Sequence, residues 1–363
     1  MTDPQTRGLT MRRATITGWG RCTPEAVLTN DDLASVMDTT DEWITTRSGI
    51  KERRISHMEN TDMATVAGAR ALAAAGLTAD SVDHVIMATC TPDRQIPAAA
   101  CIVQAKLGMV NAAALDLNAG CSGFIYGLNL ANSLVASGAA ERVLLIGVEK
   151  ISPYLDLEER STAVLFGDGA GAAVIEPTDG SDGVLSINVG SDGRLGPALT
   201  STGSGTEFVG TDAPLRIVMD GREVYRNAVV QMGESVLRVV KEADLNLDDI
   251  DLLIPHQANM RIIEATAKRL DLDASKVFVN IASYGNTSAA SIPIALSEAV
   301  DQGRVAPGSI IVLVAFGAGL TWAAATLRWG DRVEPISESD ASLPPTDKTG
   351  LEMLMEMQEA KRR

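Results

Sequence analysis

Two stretches of the chain, residues 75–87 and residues 243–255, carry the same pattern of amino acids. Alanine, leucine and two aspartates recur at identical spacing in both copies, as the pairs Ala75/Ala243, Leu77/Leu245, Asp80/Asp248 and Asp83/Asp251. In each copy the second aspartate is followed by a short apolar run, which predicts a buried strand. This internal repeat constrains the fold strongly, because a duplicated unit is expected to fold in the same way twice.

The correspondence extends over most of the chain. Further matched pairs are Leu117–Gly123 with Ala282–Ser288 and Val143–Val148 with Ile310–Ala315. The first pair predicts a tight turn into a helix of small residues, and the second pair predicts an apolar strand. Strands that alternate with helices indicate an α/β fold with buried mixed sheets. We therefore predict an N-terminal tail at residues 1–11 and two copies of one α/β unit at residues 12–182 and 183–330.

Cys121 lies in the first of these matched turns. Ala114–Leu117 is short and apolar, which predicts a buried strand, and the apolar spacing after Ser122 predicts a helix. A cysteine at a helix N-terminus is close to free N–H groups and to the positive end of the helix dipole, which favour a thiolate. Gly120 and Gly123 leave room for a substrate to approach the sulfur. These features fit a catalytic nucleophile, although the common role of a free cysteine is to pack in the core.

Two residues of the second half are candidates to share a site with Cys121. Asn286 occupies the turn that matches the Cys121 turn, so the duplication predicts both near a pseudo-twofold axis. His256 follows the apolar strand Leu252–Pro255 at its C-terminal end, where α/β sheets gather their ligands. This position favours His256 over the two other histidines as a general acid or base. A structural histidine is the alternative.

A basic segment surrounds Trp43. Residues 39–55, TTDEWITTRSGIKERRI, place Arg47 and further basic residues near this single tryptophan. A tryptophan beside an arginine can clamp an adenine ring, and arginines and lysines can hold phosphates. A solvated charged loop is the alternative interpretation of the same residues.

Charge and cysteine spacing exclude several classes of function. The net charge of −16 argues against general binding to nucleic acid or to anionic membranes. The four cysteines show neither CxxC spacing nor a histidine at ligand spacing, so we expect no disulfide framework, no metal site and a reducing cytoplasm. The N-terminal residues lack the apolar run of a signal peptide. Ile310–Leu327 carries no charge, but its β-branched start and central glycines predict two buried strands around a turn rather than a membrane span.

The last part of the chain, residues 331–363, differs in composition from the rest. Up to Pro345 it is acidic and rich in serine and proline, which is typical of a linker. From Leu351 onward it can form a short amphipathic helix with Leu351, Leu354 and Met355 on one face. The sequence leaves open whether this helix docks on the body, binds a partner or frays.

Several specific motifs occur together over about residues 12–330. They are AGCSG around Cys121, PHQANMRI at Pro255–Ile262, YGNTSAASIP at Tyr284–Pro293, TTDEWITTRSGI at residues 39–50 and FGDGAGAA at residues 166–173. With these motifs the chain resembles the β-ketoacyl-acyl-carrier-protein synthase III family of the thiolase superfamily, which initiates type II fatty-acid synthesis. The resemblance implies a thiolase-like, five-layered αβαβα fold with internal duplication, and a homodimer.

The resemblance implies that Cys121, His256 and Asn286 form the catalytic triad. The Cys121 thiolate would attack an acyl-CoA thioester and carry the acyl group. After malonyl-acyl carrier protein binds, His256 and Asn286 would donate hydrogen bonds to its thioester oxygen and stabilise the enolate left by loss of CO2. The backbone N–H groups of Cys121 and Ala318 would form the oxyanion hole. The family more often has Gly where this chain has Ala318, a change that a backbone donor tolerates. No metal or cofactor is implied, because CoA arrives as part of the substrate.

The resemblance also implies binding residues. Those that match the CoA-binding positions of the family are Trp43, Arg47 and Arg160. Those that match positions facing the acidic carrier protein are Gln257, Arg261 and Arg226. A local basic patch suits such a partner, because this chain is strongly acidic overall. Ile96 stands before Pro97, where the family closes the acyl pocket of the other subunit, often with Phe. A smaller gate residue would admit branched or longer primers.

Two other interpretations stay open. The first is a starter-unit ketosynthase or acyltransferase of a polyketide or secondary-metabolite pathway. Plain acyl transfer needs no decarboxylation, so the presence of Asn286 favours condensation. The second is a non-catalytic partner subunit, against which the intact Cys121, His256 and Asn286 argue.

Overall fold

The computed structural model describes residues 12–362, so the tail expected at residues 1–11 lies outside the described part of the chain. The strands are β1 (Arg13–Cys22), β2 (Val27–Thr29), β3 (Glu52–Arg54), β4 (His84–Ala88), β5 (Ala113–Leu117), β6 (Val143–Glu149), β7 (Gly169–Thr178), β8 (Gly183–Ser191), β9 (Leu199–Thr202), β10 (Arg216–Met219), β11 (Leu252–Pro255), β12 (Ile310–Gly317) and β13 (Thr321–Arg328). The α-helices are α1 (Asn30–Ala34), α2 (Asp41–Ser48), α3 (Asn60–Ala75), α4 (Ala99–Leu107), α5 (Gly123–Ala136), α6 (Arg160–Ala163), α7 (Gly221–Glu242), α8 (Met260–Arg269), α9 (Ile281–Tyr284), α10 (Ser291–Asp301) and α11 (Gly350–Arg362).

Two mixed sheets with the same strand order form the frame of the fold. The first sheet has the order β1-β7-β6-β4-β5, and the second has the order β8-β13-β12-β11. In both sheets a parallel pair, β4 with β6 or β11 with β12, is followed by an antiparallel partner, β7 or β13. In the second sheet, an isolated parallel bridge between Leu253 of β11 and Val277 takes the position that the β4–β5 pairing has in the first sheet. The internal duplication that the repeat predicts is therefore visible in the topology.

The helices complete five layers. α5 and α10 lie between the two sheets, in a core cluster that includes Phe124, Leu128 and Ile292. α3 and α4 cover the outer face of the first sheet, and α7 and α8 cover the outer face of the second. The alanine-rich α3 approaches β1 so closely that a Cβ atom on Gly18 would lie 2.2 Å from the carbonyl oxygen of Ala71. The αβαβα order agrees with the thiolase-like fold that the resemblance implies.

The apolar segment that begins at Ile310 forms two strands, as predicted. β12 and β13 pair antiparallel around a short turn, and β12 is buried along its whole length. Within residues 12–362 no helix is both long and apolar enough to cross a membrane.

The strand before Cys121 differs from the prediction of a buried strand. β5 lies at the edge of the first sheet, where Ala113 is exposed and its other residues are half-buried. An edge strand has a neighbour on one side only, so its other side keeps free backbone groups. Two exposed apolar side chains, Ile96 and Val110, are 87% and 78% exposed in this chain. These features leave an apolar surface and an unpaired strand edge uncovered.

The segment after β13 is docked on the body, although its composition is typical of a linker. Residues 331–349 contain no regular element. The backbone N–H of Ile336 nevertheless donates to Ala74 at 3.0 Å, and Arg70 of α3 donates to the carbonyl oxygen of Ala341 at 2.9 Å. Backbone groups of the segment thus find partners on α3, so the connection between β13 and α11 runs along the surface of the body.

Candidate active site

Cys121 lies in the turn between β5 and α5. Gly120 has a φ angle of 54°, a left-handed conformation that glycine adopts without strain. A single turn of 3-10 helix over Gly120–Ser122 then leads into α5. The Cys121 side chain is mostly buried and lines a cavity of about 1430 Å³. The local sequence thus places the thiol at a helix N-terminus, as predicted, with one side open to the cavity.

His256 follows β11 directly and lines the same cavity. Its Nδ1 atom lies 2.6 Å from the Ser291 hydroxyl oxygen at the start of α10. That oxygen also accepts a long hydrogen bond of 3.4 Å from the backbone N–H of Gln257. Nδ1 is the acceptor available to the Ser291 hydroxyl proton among the described residues, so we assign that proton to the bond with Nδ1, which leaves the neutral imidazole protonated on Nε2. Burial lowers the pKa of His256 to about 3, so the ring is neutral at physiological pH.

Asn286 is the third residue of the predicted triad on this cavity. Its backbone N–H donates to the carbonyl oxygen of Leu165 at 2.8 Å. Its side-chain Oδ1 atom accepts from the backbone N–H of Ser288 at 2.8 Å. The oxygen end of the amide is thereby occupied, and the Nδ2 end is the donor that the residue can offer to a ligand.

A buried carboxyl group near Cys121 was not predicted from the sequence. Glu149, the last residue of β6, accepts hydrogen bonds from five groups: the hydroxyl groups of Thr89, Thr91 and Ser288, and the thiol and backbone N–H of Cys90. Burial raises the pKa of Glu149 although these donors oppose the change. Through Ser288 the carboxyl group is connected to Asn286. No local pattern marks Glu149, because its partners come from distant segments in both halves.

The structure corrects the prediction that Cys121 favours the thiolate at rest. Burial raises the pKa of Cys121 to about 12, although a hydrogen bond with Ser288 opposes the increase, and the nearby Glu149 charge adds to it. Loss of water around the sulfur is the largest cause, and it outweighs the hydrogen bonds that lower the pKa. The resting site therefore holds a neutral thiol and a neutral imidazole, and the thiol must lose its proton when a substrate arrives.

The turn between β12 and β13 lies against the Cys121 turn. A Cβ atom on Gly317 would lie 2.5 Å from the backbone nitrogen of Cys121, and one on Gly120 would lie 2.9 Å from the backbone nitrogen of Ala318. The Thr321 hydroxyl donates to the carbonyl oxygen of Ala119 at 2.8 Å and ties the two turns together. The two backbone N–H groups predicted to form an oxyanion hole thus belong to adjoining turns.

Trp43 carries two guanidinium groups on its ring. The central guanidinium carbons of Arg47 and Arg160 lie 4.5 Å and 4.7 Å from the ring centroid. Trp43 and Arg47 line the cavity. Arg160 joins them from the distant helix α6, and its side chain also donates to the carbonyl oxygen of Asp38 at 2.8 Å. The structure brings together the three residues predicted to bind CoA.

Of the two arginines predicted to face a carrier protein, one lines the cavity and the other does not. Arg261 lines the cavity and donates to the carbonyl oxygen of Thr46 at 3.1 Å. Arg226 is exposed on α7, where it pairs with Glu223 at 2.6 Å and does not line the cavity. Its role stays a prediction.

Gln257 does not fit a role in carrier-protein contact. The residue is 1% exposed. Its Nε2 atom donates to the carbonyl oxygens of Pro255 and Phe278, and its Oε1 atom accepts from the backbone N–H groups of Asn280 and Ile281. All of these bonds hold the loops around β11 together. The predicted contact with a protein partner is therefore wrong for this residue, because a buried amide saturated by backbone groups has nothing left to present.

Two further basic residues of the cavity were missed. Arg222, near the start of α7, and Lys268 of α8 line the cavity together with Arg47 and Arg261. Lys268 follows Arg261 by two helical turns, so helical spacing predicts them on one face. No comparable signal marks Arg222. Within residues 12–362 no group of three or more His, Cys, Asp or Glu side chains is arranged to hold a metal ion.

A duplicated αβαβα fold with a cysteine, a histidine and an asparagine on one cavity defines the class of thiolase-fold enzymes. Two family models match the sequence: 3-oxoacyl-[acyl-carrier-protein (ACP)] synthase III over residues 115–193, and the C-terminal part of the same synthase over residues 240–329. Beta-ketoacyl-[acyl-carrier-protein] synthase III 2 of Vibrio vulnificus is 49% identical over 344 residues, which cover 94% of this chain and 95% of that protein.

Solved structures agree. The crystal structure of 3-oxoacyl-[acyl-carrier-protein] synthase III from Aquifex aeolicus VF5 has 47% identity and a TM-score of 0.83, covering 87% of this chain and 100% of its own. The priming β-ketosynthase from the R1128 polyketide biosynthetic pathway has 34% identity and a TM-score of 0.85, covering 90% of this chain and 99% of its own. The chain belongs to the β-ketoacyl-acyl-carrier-protein synthase III family, and it is an acyltransferase of that type. The family and the fold inferred from the sequence are confirmed.

Proposed function

We propose that this enzyme condenses an acyl-CoA primer with malonyl-acyl carrier protein, through an acyl group on Cys121, to give β-ketoacyl-acyl carrier protein. This is the initiating condensation of type II fatty-acid synthesis. The observation that carries the proposal is that Cys121 of the first half and His256 and Asn286 of the second half line one cavity. The same cavity has Trp43 and basic side chains among its lining residues.

The first step is acyl transfer to Cys121. The sulfur attacks the thioester carbonyl, the bond to the CoA sulfur breaks, and the thiol proton ends on the departing CoA thiol. The tetrahedral oxyanion accepts hydrogen bonds from the backbone N–H groups of Cys121 and Ala318, which adjoin in the structure. Both sulfurs are neutral before and after this step, because one proton passes from the Cys121 thiol to the CoA thiol, so a resting thiol with a raised pKa is compatible with the reaction.

The second step is decarboxylation of the malonyl group and attack on the acyl-enzyme. The Nε2–H of His256 and the Nδ2 group of Asn286 donate to the thioester oxygen as CO2 leaves and the enolate forms. The carbanion carbon then bonds to the acyl carbon, the bond between that carbon and the Cys121 sulfur breaks, and the sulfur leaves as a thiolate. The thiolate takes up one proton from solvent, which restores the resting thiol. A neutral histidine suits this role, because it can donate a proton in a hydrogen bond without already carrying a charge in a buried site.

The primer enters along Trp43. The adenine ring of CoA stacks on Trp43 in place of one of the two guanidinium groups, and Arg47 and Arg160 hold phosphate groups. Arg261, with the newly identified Arg222 and Lys268, supplies positive charge for the phosphopantetheine and the acidic carrier protein. CoA is a substrate in this scheme, and the chemistry requires no cofactor.

The enzyme acts as a homodimer in this proposal. The unpaired edge of β5 and the exposed Ile96 and Val110 provide a surface that a second copy would cover. Ile96 does not line the cavity of its own chain, which fits a residue that closes the acyl pocket of the other subunit.

Intact-mass spectrometry after mixing with an acyl-CoA tests the acyl-transfer step. We expect one acyl adduct, located on Cys121, and its loss in Cys121→Ser. Cys101→Ser is the matched control, because Cys101 is exposed and does not line the cavity. Absence of an adduct on the unchanged enzyme with every CoA thioester of a panel would refute the proposal.

CO2 release on addition of malonyl-acyl carrier protein separates condensation from plain acyl transfer. We expect release with the unchanged enzyme, and an intact adduct without release in His256→Ala and in Asn286→Ala. Full CO2 release in either variant would remove that residue from the proposed step.

A priming ketosynthase of a polyketide pathway is the second candidate function, favoured by the close structural match to the R1128 enzyme. The chemistry is the same and the primer differs. A panel from acetyl-CoA through isobutyryl-CoA to longer acyl-CoA thioesters distinguishes the two, because a preference for a primer that fatty-acid initiation does not use would favour the second.

A further inference from the structure

Helix α11 lies outside the part of the chain that the family models match. The C-terminal family model ends at residue 329, whereas α11 begins at Gly350. The Aquifex aeolicus chain is matched over its whole length by 87% of this chain, so this chain is longer than that synthase. The match to the Vibrio vulnificus relative covers 344 residues, which is 94% of this chain. Residues 1–329 are fewer than that, so the match extends into the C-terminal segment. The extension therefore needs an explanation of its own.

The apolar face of α11 is buried against the first half. Met353 and Leu354 are 3% and 0% exposed, within a cluster that also contains Leu28. A Cβ atom on Gly350 would lie 2.5 Å from the carbonyl oxygen of Val27, so the helix begins in direct contact with β2. The burial of two large apolar side chains makes α11 a stably docked element.

Near its C-terminal end, α11 donates two hydrogen bonds to one backbone carbonyl group. The Nε2 atom of Gln358 and the Nζ atom of Lys361 each donate to the carbonyl oxygen of Leu155 at 2.8 Å. The Leu155 side chain is itself buried in the same cluster as Met353 and Leu354. One point of the main chain is thus fixed both by packing and by two side-chain donors.

Leu155 begins the loop that leads to the Trp43 stack. From Leu155 the chain runs through Asp156, which pairs with Arg216 at 3.1 Å, to Arg160 at the start of α6. Arg160 then lies on the Trp43 ring at 4.7 Å. The α11 contact with Leu155 therefore lies at the start of the loop that ends at Arg160 and the Trp43 ring.

We propose that Gln358 and Lys361 are positioning residues for the primer: they hold Leu155, and with it the loop that presents Arg160 to Trp43. Because adenine replaces one guanidinium group on the Trp43 ring, the gain comes from the loop and not from the stack. CoA binds more tightly to a loop that is already ordered beside Trp43, because less ordering occurs on binding. The inference rests on the proposed role of Trp43 and Arg160 in binding CoA. It assigns α11 to recognition of the nucleotide end of the primer and not to the acyl group.

Full-length variants separate this role from a general contribution to folding. In Gln358→Ala/Lys361→Ala we expect the KM for the acyl-CoA primer to rise about fivefold, the worth of an exposed cation–π contact. We expect kcat and the KM for malonyl-acyl carrier protein to change less than about twofold. Lys361→Arg, which keeps a donor, should restore much of the primer KM. Lys348→Ala/Glu356→Ala is the matched control, because it removes an exposed ion pair involving the same helix.

Hydrogen exchange without substrate provides the second readout. We expect amides of residues 152–160 to exchange faster in Gln358→Ala/Lys361→Ala than in the control pair. Leu354→Asp should undock α11, which removes the protection of α11 itself and gives the same change in the loop.

Two results would overturn the proposal. One is unchanged exchange over residues 152–160 in a Leu354→Asp protein whose α11 has lost its protection. The other is a fall in kcat without a selective rise in the primer KM. The exchange measurement needs no substrate. If the unchanged enzyme accepts no acyl group from CoA thioesters, the proposed function fails, while the exchange result still decides whether α11 holds the loop.

Discussion

The hydrogen bond between Ser291 and His256 offers the sharpest test of the site. In the structure the Ser291 hydroxyl is 2.6 Å from Nδ1 of His256 and also accepts from the Gln257 N–H. We infer that this bond keeps the proton of the neutral ring on Nε2, where it can be donated to the thioester oxygen. Ser291→Ala removes the bond and leaves Nδ1 as a buried acceptor without its partner.

The expected cost follows from the burial of the pair. Loss of a partner for a buried polar group costs about 1–2 kcal/mol, which corresponds to a decrease of about 5- to 30-fold in the rate of CO2 release. Acylation of Cys121 does not use Nε2–H as a donor in our scheme, so the amount of acyl adduct should stay near that of the unchanged enzyme. The effect is thus specific to the second step.

The assay measures CO2 release from malonyl-acyl carrier protein by the acylated enzyme, with the adduct quantified by intact mass. Ser297→Ala is the matched control, because Ser297 is equally buried on α10 but accepts a hydrogen bond from Arg21 and does not bond to His256. We expect the control to lie within about twofold of the unchanged enzyme. CO2 release at that level in Ser291→Ala would refute the assigned tautomer and the role given to Ser291.

Three further predictions follow from the same site. Alkylation of Cys121 by iodoacetamide should be slow at neutral pH and keep accelerating above pH 9, because burial raises its pKa to about 12; a plateau below pH 8 would show that the helix N-terminus dominates instead. The free energy of unfolding should fall as pH decreases from 6.5 towards 3, because in this range the unfolded state binds a proton on His256 and the folded state does not. Denaturant unfolding of His256→Asn should show a weaker fall with pH, and an identical fall would contradict the lowered pKa of His256. Glu149→Ala should leave five donor groups without their acceptor and lower both stability and CO2 release, by about 1–3 kcal/mol in unfolding free energy. Calorimetry together with the CO2 assay checks this, and an unchanged melting temperature would argue against the buried network.

The overall architecture was predictable from short patterns. The repeated motif predicted two similar α/β units, and the two sheets have the same strand order. The strand Leu252–Pro255 and the strand pair within Ile310–Leu327 were expected from apolar runs and occur as expected. Such patterns are carried by residues adjacent in the chain, so one sequence suffices to detect them.

The sequence also predicted in part which residues come together in the site. Matching turns in the two halves predicted that Cys121 and Asn286 would share a site, and the strand end predicted His256 beside them. The structure has all three on one cavity. Their catalytic roles stay a prediction until the variants are measured.

What the sequence by itself determined is the α/β class, the duplication and the motif set of the family, because each is a property of residue order and spacing. The tertiary structure decided the ionisation of Cys121, the environment of Glu149, the burial of Gln257 and the docking of α11. These properties depend on desolvation and on partners far apart in the chain: Glu149 receives Ser288 from the other half, and Leu155 receives donors from the C-terminal helix. Desolvation and long-range partners exist only once the chain has folded, and no local pattern encodes them.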